Sequence, residues 1–298
     1  MKRLGHIWLV LLFLMALCGT MPVLAQSFVG VEIAGHSPVL LDRSPSTKPA
    51  VSYGGEIGFV YLWQKKHFFL QTGIGYALQC PSLQLDSQHI EQNMIDTRGV
   101  SFLYRGTLNN RSDRIVAGQL TLPLYVGALW KGWYVQAGLT AVLNLHANST
   151  QTAKLKTSGD YQDRYYEWLE NVPNHGYHDY LPVRTDKPVS LKLYDLRAGM
   201  EIGYSFYVKK KNAVSPFLRI GAFAEYGIMT LLNSTESATP RTQPDYSRYM
   251  NVDMTHIYFS ADGANAQPHM ITCGIRLAVL FPASPSSHDN TGCMCYTM

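Results

Sequence analysis

The residues that could do chemistry in this chain are few, and their spacing is the first test of each. His146 and Ser149 suggest a nucleophile with its base, as a lipid-deacylating enzyme would need. Acyl transfer requires those groups within hydrogen-bond reach and an acid behind the histidine. Three residues apart in an extended segment, they point to opposite faces, so hydrolysis is not expected. His175, His178 and Asp179 form a second cluster of metal-ligating types. They lie in a polar stretch without a fixed element beneath them, so no metal centre is expected there. Cys293 and Cys295 make a C-x-C pair in a polar tail, too little for a metal or redox site without further ligands. Neither a catalytic residue nor a cofactor is expected.

The remaining reactive types are charges set into apolar alternation. Glu32, Glu56, Asp195, Arg197, Glu201, Arg219, Glu225 and Arg276 each adjoin hydrophobic residues, with Gly55 on one side of Glu56. Such charges need a shared, enclosed interior where opposite signs pair. Gln71, Gln119, Gln136, Thr140, Asn144 and Thr272 occur at the same phase and join that interior. Mixed signs point to a salt-bridged plug in preference to an ion or proton path.

The elements that must position these residues show period-two alternation, eight times over: Ser27–Gly35, Val51–Trp63, His67–Gln79, Arg114–Trp130, Gly132–Ala147, Ser190–Val208, Val214–Leu231 and His269–Phe281. In the sixth, Tyr194, Leu196, Ala198, Met200, Ile202, Tyr204, Phe206 and Val208 share one face. Asp195, Arg197, Gly199, Glu201, Gly203 and Ser205 share the other. Connections alternate between short and long. Gln64-Lys65-Lys66, Lys131 and Lys209-Lys210-Lys211-Asn212-Ala213 are the short ones. Aromatic residues crowd that end: Trp63, Phe68, Trp130, Trp133, Tyr204, Phe206, Phe217 and Phe281. Together these features predict an all-β chain, an eight-stranded antiparallel transmembrane β-barrel of up-and-down topology, with short periplasmic turns and long outer loops. Counting back from the sixth turn predicts Arg197 opposite Glu225, Gly203 opposite Arg219 and Glu201 opposite Gly221, to within two residues of register, and an Arg197–Glu225 ion pair.

Composition agrees. Of 298 residues, only 15% are charged, against about 25% in soluble domains, so part of the surface does not face water. Net charge is +4, with no basic stripe of the kind nucleic acid requires. Residues 1–25 read as a signal peptide: Lys2 and Arg3, an apolar run from Ile7 to Leu17, and Val23-Leu24-Ala25 before a cut at Gln26. Leu17 before Cys18 argues against lipidation. The barrel is expected over residues 26–281 and a polar periplasmic tail over 282–298. Asn148-Ser149-Thr150 and Asn233-Ser234-Thr235 match a eukaryotic glycosylation acceptor and are read as accidental.

Thr272, Gly274, Leu277, Val279 and Phe281 resemble the C-terminal signal read by the machinery that assembles outer-membrane barrels. With the eight-strand plan, the chain resembles small barrels of the OmpA and OmpX type. Its Gly-rich strands and Leu24-Ala25-Gln26 junction are most similar to PorT-like barrels of Bacteroidota. That resemblance implies outer-membrane localisation, lipid as the solvent of the outer wall, and the assembly machinery as a transient partner. Members assist secretion or adhere to surfaces. Tyr161, Tyr165, Tyr166, Trp168, Tyr177 and Tyr180 form the candidate contact surface in an outer loop, followed by Tyr246, Tyr249, Tyr258 and Phe259. The expected role is non-enzymatic: outer loops binding a ligand or stabilising the envelope above a plugged lumen. A secretion or transport accessory acting through Lys209–Lys211 and the tail is the second reading, and a lipid-modifying enzyme the third.

Overall fold

Alternating side chains drive the chain into long strands because each strand then has one face for a confined interior and one for its surroundings. The computed structural model describes residues 26–41, 47–96, 98–161, 167–189, 191–207, 216–229, 241–243, 251–253 and 269–283. The leader, Lys209–Lys211, Tyr246, Tyr249, Tyr258, Phe259, and the tail with Cys293 and Cys295 lie outside the described residues.

The strands are β1 Gln26–Leu41, β2 Thr47–Pro49, β3 Tyr53–Lys65, β4 Phe68–Cys80, β5 Ser82–Ile95, β6 Ser101–Trp130, β7 Trp133–Asp160, β8 Trp168–Glu170, β9 Leu181–Pro188, β10 Tyr194–Tyr207, β11 Phe217–Gly227, β12 Arg241–Gln243, β13 Asn251–Asp253 and β14 His269–Pro282. Eight of them close a ring of antiparallel pairs in the order β1-β3-β4-β6-β7-β10-β11-β14 and back to β1. Closure leaves this ring without an edge. Both ends of the chain segment forming it, at Gln26 and Pro282, lie at the short-turn end, since Gln26 pairs with Gln64 and Phe28 with Pro282.

The hairpin turns explain the short connections. Lys131 and Gly132 both take positive φ, 51° and 89°, in a two-residue turn between Trp130 and Trp133. That conformation matches strand twist and favours glycine at its second position. A Cβ on Gly132 would also stand 2.6 Å from the Tyr204 ring. Gly132→Ala is therefore expected to cost about 1–3 kcal/mol, read from the urea midpoint of the refolded protein; an unchanged midpoint would contradict this account. The other described turn is Lys66-His67, one residue beyond the expected position.

Four long loops were expected, but two of them are largely strand. β6 and β7 run to 30 and 28 residues, well past Arg114 and Ala147. Their outer halves pair with one another and carry β5 on one flank and β8 and β9 on the other, with β2 against β5. The result is a sheet extension standing on the barrel mouth. Asp96 closes its β5–β6 hairpin by accepting the amides of Arg98 and Val100, each at 2.8 Å. β1 likewise continues to Leu41 instead of stopping at Gly35.

Candidate functional site

The lumen is built in layers. At the short-turn end Phe28, Val60, Leu62, Phe69, Tyr134, Phe217, Ala278 and Leu280 fill it with apolar side chains. Phe217 corrects the expectation of an outward girdle residue. It is 2% exposed and meets Phe28 edge-on at 4.9 Å, because its position shares the phase of Arg219 and not of Leu218. At the outer mouth Leu40, Leu83, Ile115, Ala117, Val189 and Met270 form a second apolar layer. Neither plug was legible beforehand, since inward leucines and phenylalanines look like any other hydrophobic residue.

Between the plugs lie all eight charged residues of the predicted interior. Arg276 is the hub. Its guanidinium reaches Glu201 at 2.8 Å, Glu56 at 3.5 Å, Glu225 at 3.6 Å and Glu32 at 4.0 Å. It also lies 4.5 Å from the Phe223 ring centre. The carboxylates take further donors from the wall: Tyr134 and Gln136 to Glu201 at 2.5 and 3.0 Å, Tyr125 to Glu225 at 3.0 Å, and Thr121 to Glu56 at 2.5 Å. Glu32 has only a long contact from Gln71, 3.5 Å. Arg219 donates to Gln71 at 2.9 Å and is held between the Phe69 and Tyr134 rings, 4.6 and 3.6 Å away. Ring faces there replace part of the hydration that burial removes.

The predicted register shifts by two residues, while the predicted Arg197–Glu225 ion pair is present at 4.0 Å. Arg197 stands opposite Gly227 and Glu225 opposite Gly199, Gly203 opposite Gly221, and Glu201 opposite Phe223. The whole hairpin is two residues out from the count. Arg197 also bonds Gln119 at 2.6 Å and Asp195 at 3.2 Å. Gln119 passes the network to Asn144 at 2.7 Å. A slip of two preserves the face of every side chain, so the polar layer survives the error.

The outer extension has its own core. Ile90, Leu108, Ala153 and Leu155 form one cluster, and Met94, Phe102, Tyr104 and Tyr177 another. This revises the expected contact surface. Tyr177 is 2% exposed, and Tyr161 stacks on Phe102 at 4.6 Å, so both serve packing. Trp168 and Tyr180 are exposed, the former with Arg105 at 4.9 Å over its ring. Tyr165 and Tyr166 lie outside the described residues. Below these clusters Arg111 is fully buried, donating to Gln88 and to Gln151 at 3.4 Å. Burial pushes its guanidinium down to about 10, partly opposed by Asp113.

The sequence matches no known family profile and no curated protein. Among solved structures, the chain is similar to Ail, the attachment invasion locus protein of Yersinia pestis, crystallised with the heparin analogue sucrose octasulfate. That likeness has 9% identity and a TM-score of 0.29, and covers 86% of this chain and 99% of Ail. OpdQ of Pseudomonas aeruginosa aligns over 87% of this chain and 98% of its own at 9% identity, with a TM-score of 0.13. Likeness at this level says nothing of function, and the closed ladder stands on its own pairing.

The remaining candidates for chemistry are separated by the structure. Ser149 is buried and donates to Asp113, whereas His146 faces outward beside Gly118. Asp179 sits 3.6 Å from Lys156, and no group of three metal-ligating side chains occurs among the described residues. Cys80 is buried, Cys273 exposed, and both are free. What the arrangement can do is block passage: two apolar plugs bracket a crosslinked polar layer. In a planar bilayer the refolded protein is expected to give no stepwise ion conductance, and porin-sized steps would refute the sealed lumen.

Proposed function

We propose that the chain is a non-enzymatic outer-membrane barrel whose sealed cylinder anchors a rigid β-extension outside the cell. The extension binds a surface ligand or stabilises the envelope. The observation that carries this reading is the outer wall. Ile57, Phe59, Val126, Met200, Ile202 and Ile275 are all more than half exposed, along with many neighbours. A soluble monomer rarely exposes apolar patches beyond a few hundred Å². This band is bordered by Phe68, Trp130, Trp133, Phe206 and Phe281 at the short-turn end and by Tyr53, Tyr76, Tyr194 and Tyr226 at the other. Tyr53 and Trp63 lie ten residues apart along β3. At about 3.3 Å per residue and a tilt near 40°, that spans roughly 25 Å, the height of the apolar band in such barrels.

Lipid is thus the solvent of the wall. β14, which closes the ring against β1 and β11, carries Leu277, Val279 and Phe281 outward and Thr272 inward, as a strand recognised by the barrel assembly machinery would. The Gly-rich strands support grouping the chain with PorT-like barrels. The test is fractionation with surface labelling. Protein in the outer membrane, with cysteines introduced at Trp168 and Tyr180 labelled on intact cells, supports the reading. Recovery in the soluble fraction sinks it.

A further inference from the structure

Outside the lumen, the short-turn end of the barrel combines an apolar groove with a cluster of cations. The groove, about 450 Å³, is lined by Trp63, Phe68, Phe69, Leu70, Val126 and Gly127. Phe68 and Val126 are 72% and 63% exposed, so the groove opens to the surroundings of the wall. It runs between the ends of β3, β4 and β6. At its head stand two turns tied together. The Leu129 amide donates to the His67 carbonyl at 2.7 Å, and the His67 ring lies 3.2 Å from the Leu129 carbonyl. These bonds hold Lys65 and Lys66 of one turn beside Lys131 of the next, all three exposed. Lys131 sits over the Trp130 ring at 5.1 Å, at the level of the aromatic girdle. No acidic residue occurs from Trp63 to Leu70 or from Val126 to Trp133, so neither turn supplies a carboxylate to the lysines.

We infer that this groove with Lys65, Lys66 and Lys131 is a binding site for an anionic phospholipid of the leaflet at the short turns. An acyl chain lies against Trp63, Phe68, Leu70 and Val126, and the phosphate meets the lysines. Apolar lining alone would accept any chain, but three exposed cations at headgroup level choose the negative lipid. Flexible ammonium groups suit a mobile phosphate, and lysine near a membrane surface adds attraction for anionic lipid. The site rests on the membrane reading above and adds to it a lipid preference that a neutral bilayer could not supply.

The test uses tryptophan quenching. In the full chain, Trp8, Trp133 and Trp168 are replaced by Phe, leaving Trp63 and Trp130 as reporters beside the groove. The protein is refolded into phosphatidylcholine vesicles. Brominated-chain phosphatidylglycerol is then titrated in, and separately brominated-chain phosphatidylcholine. Preference for the anionic lipid is expected to be on the order of fivefold, and to fall to near one in the Lys65→Gln, Lys66→Asn, Lys131→Asn variant. Asn is chosen at positions 66 and 131 because φ there is 55° and 51°, a conformation asparagine tolerates. Equal quenching by both lipids would overturn the site, as would a preference that survives loss of the lysines. So would absence of lipid preference with the lysines instead governing crosslinking to a periplasmic protein. A chain that fails to insert even into neutral vesicles would overturn the membrane reading itself, a different result from insertion without preference.

Discussion

Arg276→Met is expected to destabilise the barrel by about 3–5 kcal/mol, enough to prevent refolding in most detergents. Four carboxylates lie within 4.0 Å of this guanidinium, and Glu56 and Glu32 have no other cation at that distance among the described ion pairs. Removing it leaves buried negative charges facing one another between two apolar plugs, where water cannot screen them. Breaking a buried pair by deleting one partner costs far more than the pair itself contributes, because the survivor keeps its desolvation penalty. The interior already holds five acidic residues, Glu32, Glu56, Asp195, Glu201 and Glu225, against Arg197, Arg219 and Arg276. Glu32→Gln should therefore behave in the opposite way. It removes the acid with the weakest hydrogen bonding and is expected to leave stability within about 1 kcal/mol of wild type, or above it. Urea titration of the refolded protein, followed by tryptophan fluorescence, measures both. An Arg276→Met midpoint close to wild type would mean that the polar layer does not hold the cylinder together.

The second large effect belongs to the outer extension. Tyr104→Ala is expected to cost about 3–5 kcal/mol of local stability, in the range of large buried aromatics. Tyr104 is wholly buried in the cluster with Met94, Phe102 and Tyr177, at the far end of β6 from the membrane band. Because closed barrel pairing is separate from this cluster, the loss should be confined to the extension. Limited proteolysis would then cut within residues 82–113 or 148–160 while the barrel kept its heat-dependent mobility on gels. Tyr104→Phe provides the control. The hydroxyl is buried without a hydrogen-bond partner among the described residues, and burial pushes its ionisation far upward. Deleting it should leave the extension as resistant as wild type. If Tyr104→Ala were equally resistant, the extension would owe its order to something other than its own core.

These variants trace how far the residues themselves announced the structure. The strands of the ring were readable because its outer wall and its lumen impose opposite demands on successive positions. Tyr194 to Phe206 against Asp195 to Ser205 carries that signal in every residue. The extension was not readable, because Ser149, Gln151 and Thr157 face its interior and look like loop residues. Its phase is also broken. Register shifts between Asn109 and Ser112, with Asn110 at a φ of 50°, so Leu108 and Arg111 both point inward from positions that strict alternation would oppose. A bulge of this kind is visible only in the ladder it interrupts. The same limit held for Tyr177, whose aromatic ring would suit a binding surface equally well until its neighbours are known.

Alternation along the chain was sufficient to determine which charged side chains of the ring turn inward and that the sheet must close. Face is a local property with a period of two, and a wall between lipid and charge leaves no room for an open edge. Which inward charge meets which was decided only by the closed cylinder. A hairpin can slip by two residues without turning any side chain over, so nothing local distinguishes Arg197 facing Glu225 from Arg197 facing Gly227. Packing across the lumen removes that freedom by bringing Arg276, Glu201, Glu56 and Glu225 together from four different strands.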